Sequence, residues 1–483
     1  VTIRAMNGVV IDRRTGEPMF GTDAPAFDGV YDYLYADENG DGRRNFGVAE
    51  GFDEQTPGYG ERLFVLDDVN ASGALDEDEK LVALKTSKVK VFRVGDDDFV
   101  RGENLIEAPF DEDMLHGIGS SGVMVAGQPG FSRLVGMAPD ADLVMASDTE
   151  GWAQVQMVQF CQQEGARVVL HEYAPWVGFH LDGSSDLEEL IDDQSAEGVV
   201  HVNPAGNLST SQKLYKKTVS SGSITTIPIE VPADLGASFM GFTLLWRDTS
   251  RDLQLTLTRP GGASYVLPLG PFGFQEPFDA ELEIAGYRDD SSRGTAMALF
   301  YLYPPAGPPG EVPGGTWQLD VIDPSDPAGE PFTLVAYVQD EISGWGLGMH
   351  FPESSSEDHL IGWPGTADHG MAIAAFTGHD SAFTGSPFPA TSGERAFYSG
   401  RGRRIDGEPI LWISAPDNPI VPARFDEREL SYMIYGGTSG ASPHVAGASA
   451  LIVQADPNVT GDQVKEKIRA GAVSDAFTGA VPN

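Results

Sequence analysis

A serine becomes a nucleophile when a base lies within hydrogen-bond reach and donors wait for the oxyanion it creates. The segment Gly436-Gly-Thr-Ser-Gly-Ala-Ser-Pro-His-Val-Ala-Gly447 offers such a serine. A tight glycine turn would present Ser439 just ahead of a helix whose first turn tolerates Pro443, with the hydroxyl near the positive end of the helix dipole. Gly440, Ala441, Ala446 and Gly447 are small enough for that helix to approach a neighbour closely. A base is offered by Leu115-His-Gly-Ile-Gly-Ser-Ser-Gly-Val-Met-Val-Ala-Gly127, where Gly117, Gly119 and Gly122 clear space around His116. Pro204-Ala-Gly-Asn207 follows an apolar run ending at Val202 and brings a side-chain amide. Taken singly, these residues have plainer readings: a capping serine, a structural histidine and a turn.

A second chemistry is written in carboxylates. In Asp68-Val-Asn-Ala-Ser-Gly-Ala-Leu-Asp-Glu-Asp-Glu79, oxygen-bearing side chains fall at positions 1, 3, 5, 9 and 12 with Gly73 at 6. Asp68, Asn70, Ser72, Asp76 and Glu79 thus carry the spacing that wraps a hard cation in oxygen, as in EF-hand loops. A second loop begins at Asp37 and places Asn39 and Asp41 at positions 3 and 5, Asn45 at 9, and Val48 where the last ligand should be. The plainer reading of both is an acidic solvated turn. Charge crowding favours a cation, because 26 of the 72 acidic residues lie in the first 113 positions. Calcium is therefore the expected cofactor, held by the loops alone, since flanking helices are not evident.

The nucleophile segment resembles the GTSxASPHVAG motif of the subtilisin-like serine peptidases, with Gly440 at the variable position. The His116 segment resembles the family's HGTxxAG, with Ile118 replacing Thr; a second register would put Ser121 at the histidine position. Gly136-Met-Ala-Pro-Asp-Ala-Asp-Leu143 resembles GVAPxAxL, Pro204-Ala-Gly-Asn207 resembles AAGN, Tyr398-Ser-Gly-Arg-Gly402 resembles SSRGP, and Ile413-Ser-Ala-Pro416 resembles DIxAPG. These matches stand in family order and cover about 114–212 and 365–475.

The resemblance implies Ser439 as nucleophile, His116 as general base and Asn207 as oxyanion donor. It also implies an acid ending an apolar strand upstream of the histidine. Asp12, after Val9-Val-Ile, is the choice, although Arg13-Arg-Thr-Gly16 departs from the family's Asp-Ser/Thr-Gly; Asp67, after Phe64-Val-Leu, is the alternative. The implied function is a serine endopeptidase acting on a protein or peptide. His171-Glu-Tyr-Ala-Pro-Trp176 replaces the family's Ser-x-Gly pocket strand, so specificity does not transfer, and a short-peptide exopeptidase is a subtype. The alternative is a catalytically silent homologue that binds calcium and a protein or glycan partner.

The elements that must position these residues are legible in outline. Apolar runs at 143–146, 167–170 and 198–202 alternate with helical stretches at 151–163 and 187–194, which argues for a mostly parallel sheet covered on both faces. Between 213 and 345 the texture becomes short β-rich runs separated by turn signals such as Arg259-Pro-Gly-Gly262. The expected fold is a subtilisin-like α/β three-layer domain interrupted by an all-β sandwich or jelly roll. The expected domains are 1–212, with an acidic insertion at about 28–113, then 213–345, then 346–483.

Composition narrows the partners. A net charge of −41 repels nucleic acid and anionic lipid. No apolar run approaches the roughly 20 residues of a membrane span. One cysteine, Cys161, excludes a disulfide scaffold and suits an apolar filler. The start at Val1 without an initiator Met fits either a processed or a trimmed chain, and the acidity leads to the expectation of a secreted or extracellular protein.

Overall fold

The computed structural model describes residues 2–5, 10–11, 18–20, 34–53, 56–66, 76–77, 80–105, 108, 115–129, 132, 134–147, 154–270, 272–305, 310–324, 329–343, 345–384, 390–423 and 431–474. The chain divides into two compact units, one formed by 1–167 with 420–435 and the other by 168–419 with 436–483.

In the first unit, Thr2–Ala5, Leu34–Asp37, Leu63–Leu66 and Leu81–Ala83 form an antiparallel sheet. A second sheet pairs Val89–Val94 antiparallel with Asp97–Val100 and parallel with Leu143–Ser147. The Leu115–Val125 helix packs on the hairpin Ile420–Ala423/Ser431–Ile434 through Val123, Val421 and Tyr435. That packing explains Gly119 and Gly122, whose Cβ positions would meet Tyr435 and Val421. A Cβ on Gly119 would lie 2.4 Å from the Tyr435 ring, so only glycine permits this approach. The described part of the helix expected at 151–163 is Gln154–Gln163, and Arg93 lies over its Phe160 ring at 3.7 Å.

In the second unit, Val168–Leu170, Val200–Pro204, Met371–Thr377 and Leu411–Asp417 pair in that order, every pair parallel. Their apolar runs follow from burial on both faces, which parallel sheets require. The crossover helix Asp186–Ala196 starts at a capping box, in which Ser185 accepts from the Glu188 N–H and Glu188 accepts from Ser185. The Thr438–Ala455 helix packs on all four strands, and Gly461–Gly471 packs beside it.

Between the second and third parallel strands the chain builds two antiparallel sheets. One orders Leu214–Val219, Phe332–Gln339, Met240–Trp246, Ala296–Tyr303, Glu283–Asp290 and Phe274–Pro277; the other orders Ile224–Val231, Gly315–Ile322, Gln254–Thr258 and Ser264–Leu267. Both contribute to one apolar core that includes Phe242, Trp246, Leu255, Phe300, Trp317 and Leu319. Ile224–Val231 alternates buried and less buried residues along its length, the period-two pattern of a sheet with one face inward.

Candidate active site

The nucleophile segment folds as the glycine turn and helix its sequence suggests. Gly437 is the N-cap of the Thr438–Ala455 helix at φ 90° and ψ 175°, backbone that favours glycine. Ser439 is the second helical residue and is 8% exposed. At that position the backbone N–H groups have no partners within the helix and point towards its N-terminal end. Pro443, four residues on, lacks the N–H that would bond the Ser439 carbonyl. Ser442 donates to the Glu172 carboxylate at 3.1 Å, tying this helix to the chain just beyond Val168–Leu170. His444 is bonded through Nδ1 to the Gly440 carbonyl at 3.0 Å, and burial pushes its pKa down, so it stays neutral as part of the helix.

Asn207 is brought to this turn within the same unit. Gly206, at φ 96°, makes the bend after Val200–Pro204, and its N–H donates to Thr438 Oγ1 at 3.1 Å. Asn207 Oδ1 accepts from the Thr438 N–H at 3.0 Å and from its hydroxyl at 3.1 Å. These bonds fix the amide flip. Oδ1 faces the helix, and Nδ2 is left as a donor with no acceptor among the described residues. Nδ2 lies 3.2 Å from where a Cβ on Gly437 would stand, a second reason for glycine there.

His116 belongs to the first unit, as the second residue of the Leu115–Val125 helix. It is exposed, with the Tyr435 ring edge-on at 5.4 Å between centroids. Ser121, the residue of the rival register, donates to the Ile118 carbonyl within the helix. Asp12 and Asp67 lie outside the described residues.

Of the expected metal ligands, Asp68, Asn70, Ser72 and Glu79 also lie outside the described residues, and Asp76 is exposed. Asp37 is buried at the end of its strand. Its carboxylate accepts from the Gly40 and Gly42 N–H groups and from Arg4, and these bonds hold its pKa low against the opposing effect of burial. Asn39 and Asp41 bond each other across the turn, and Asp41 also takes Arg43. Asn45 is 9% exposed, and its Oδ1 is buried without a hydrogen-bond partner. Among the described residues, no group of three or more His, Cys, Asp or Glu converges as a metal site.

Asp417 and Trp345 escaped sequence reasoning, and Tyr398 was read only as the start of an SSRGP-like segment. Asp417 ends the strand Leu411–Asp417, Tyr398 donates to its carboxyl, and Trp345 lies against Tyr398 at 4.1 Å between ring centroids. A signal was present: Asp417 follows the Ser-Ala-Pro of the DIxAPG-like segment, where glycine is expected.

Comparison with known proteins gives the family to which the chain is similar. The family model described as Subtilase family matches residues 67–481. Serine protease AprX of Bacillus subtilis (strain 168) is 28% identical over 141 residues, covering 27% of this chain and 30% of that protein. Subtilisin E of the same organism is 31% identical over 122 residues, covering 25% of this chain and 26% of that protein. The matched part of the chain thus spans less than a third of these relatives. The structure of the Clostridium perfringens CspB protease is similar in fold, with a TM-score of 0.64, 17% identity, and coverage of 82% of this chain and 84% of that one.

Proposed function

This chain belongs to the subtilase family, and from that premise we propose that it is a serine peptidase acylated through Ser439 and deacylated by water. The observation that carries the reading is the orientation of Asn207. Its oxygen is consumed by Thr438, so its Nδ2 donor faces the turn that precedes Ser439, where a developing oxyanion would take it. The roles assigned are nucleophile to Ser439, oxyanion donor to Asn207, general base to His116 and orienting acid to Asp12. The substrate is a protein or peptide, and an extended strand is the form such a chain would present. Secretion fits the acidic composition.

A fluorophosphonate probe tests this reading directly. Labelling of the wild type that disappears in both Ser439→Ala and His116→Ala is the expected result. Absence of labelling in folded wild type would sink it and favour a silent homologue.

The paired sheets of 213–345 support an inserted β-sandwich of jelly-roll type, because the chain passes repeatedly from one sheet to the other. Calcium is proposed for the Asp68–Glu79 loop on its ligand spacing. In the Asp37–Asn45 loop, the unpartnered Asn45 Oδ1 suits a cation, while Asp37 would first have to release Arg4. An ion bound only by the folded chain stabilises it by mass action, so chelation should lower the Tm by several degrees. An unchanged melt in chelator would remove calcium from the account.

A further inference from the structure

We propose that Tyr398 and Asp417 are positioning residues for the nucleophile turn, holding the Gly437 N–H while Asn207 holds Thr438. This rests on Ser439 being the nucleophile. The Gly437 N–H donates to Tyr398 Oη at 3.3 Å, and the Tyr398 hydroxyl donates to Asp417 Oδ2. Asp417 Oδ1 accepts from the Asn418 N–H. The Thr438–Ala455 helix has no side-chain cap from its own N-cap residue. Its entry is therefore tied by two external groups, Asn207 on Thr438 and Tyr398 on Gly437. Trp345 closes the arrangement, with its ring 3.5 Å from the Cβ position of Gly437 and packed on Tyr398.

Asp417 is 1% exposed and has no cation beside it among the described residues. The groups facing it are the Tyr398 phenol, the Asn418 and Gly437 N–H groups, and Gly378, which follows Met371–Thr377 and donates its N–H to the Asp417 carbonyl. Tyr398 is the only titratable side chain among them. Burial pushes the Asp417 pKa up to about 7. Ionised, the carboxylate draws the phenol proton harder, which makes Oη a better acceptor for the Gly437 N–H, because linked hydrogen bonds polarise one another. The tie is therefore tightest above neutral pH. A misplaced turn shifts the reacting hydroxyl, and errors near 1 Å cost up to about 100-fold in rate.

The test compares wild type with Asp417→Asn, Tyr398→Phe and the double variant, each shown to be folded by its melt. Both single variants should slow fluorophosphonate labelling by about 10-fold or more with reversible probe affinity little changed, and the double variant should be no slower, since one linked unit is removed. The ratio of wild-type to Asp417→Asn rates should rise with pH through about 7. Independently of chemistry, amide hydrogen exchange over 435–442 should quicken in both variants. Unchanged exchange overturns the positioning role whether or not the probe reacts; failure of wild type to label, with exchange quickened in the variants, overturns only the peptidase reading. A pH-independent rate ratio would overturn the part given to ionisation.

Discussion

The second unit holds two β systems built on opposite plans. The parallel sheet has strands of three to seven residues, and the antiparallel pair has strands of four to eight. The parallel strands bury small and branched side chains, with Val202, Ala372, Ile373 and Ala375 fully buried, and Ala205, Ile361, Ala372, Ala374 and Leu411 form one of their clusters. The antiparallel sheets enclose Trp246, Trp317, Phe242 and Phe300, all fully buried. Chemistry gathers at the C-terminal ends of the parallel strands, where Asn207 follows one and Asp417 ends another. The reason is directional. Parallel strands all finish on one edge, so their loops converge, whereas alternate antiparallel strands finish on opposite edges. Both systems bury side chains, the antiparallel one with larger aromatics, but the parallel one also gathers its strand ends at one edge.

That division can be broken by mutation. Ser439→Ala should cost turnover about a millionfold, the size measured for the corresponding change in subtilisin, and leave the Tm near its wild-type value. Peptide hydrolysis and a melt on the same preparation check both halves. In the two antiparallel sheets the pattern should invert: Trp317→Ala empties a fully buried site and should remove about 3–5 kcal/mol of stability, read by denaturant unfolding, with kcat preserved in the folded fraction. A large kcat loss there would show that the insertion shapes the site.

Asn207→Ala should lower kcat by about 100- to 1,000-fold, or roughly 3–4 kcal/mol, a magnitude that also comes from subtilisin's own oxyanion asparagine. An effect confined to KM would move Asn207 to substrate binding.

The subtlest test uses pH. With its folded pKa near 7, Asp417 stays protonated in the native state while the unfolded chain ionises it near 4. Folding therefore takes up a proton between about pH 4 and 7, and stability falls as pH rises through that window. Asp417→Asn removes this slope. Relative to wild type, the variant should melt higher at pH 8 than at pH 5. The same difference at both values would mean that Asp417 is not the buried, cation-free carboxyl described.

The sequence alone carried what is local. The turn and helix around Ser439, the glycines of Leu115–Val125 and most of the described antiparallel strands between 213 and 345 are visible because hydrophobic period and turn chemistry act over a few residues. Leu214–Val219 was not visible. Lys216 and Lys217 break its pattern, and it is a strand because it pairs with Phe332–Gln339, more than a hundred residues away. Glu283–Asp290 is obscured by its charged end for the same reason.

Motif order could nominate Asn207, but which of its amide atoms faces the turn was decided by Thr438, 231 residues later. Trp345, Tyr398, Asp417 and Gly437 have no common sequence signature. They meet because the parallel sheet, with the Thr438–Ala455 helix against it, gathers the ends of distant segments around one turn. The acidity of Asp417 is likewise tertiary, since a carboxyl's pKa depends on the water and charges it loses on burial, and only the folded chain specifies those.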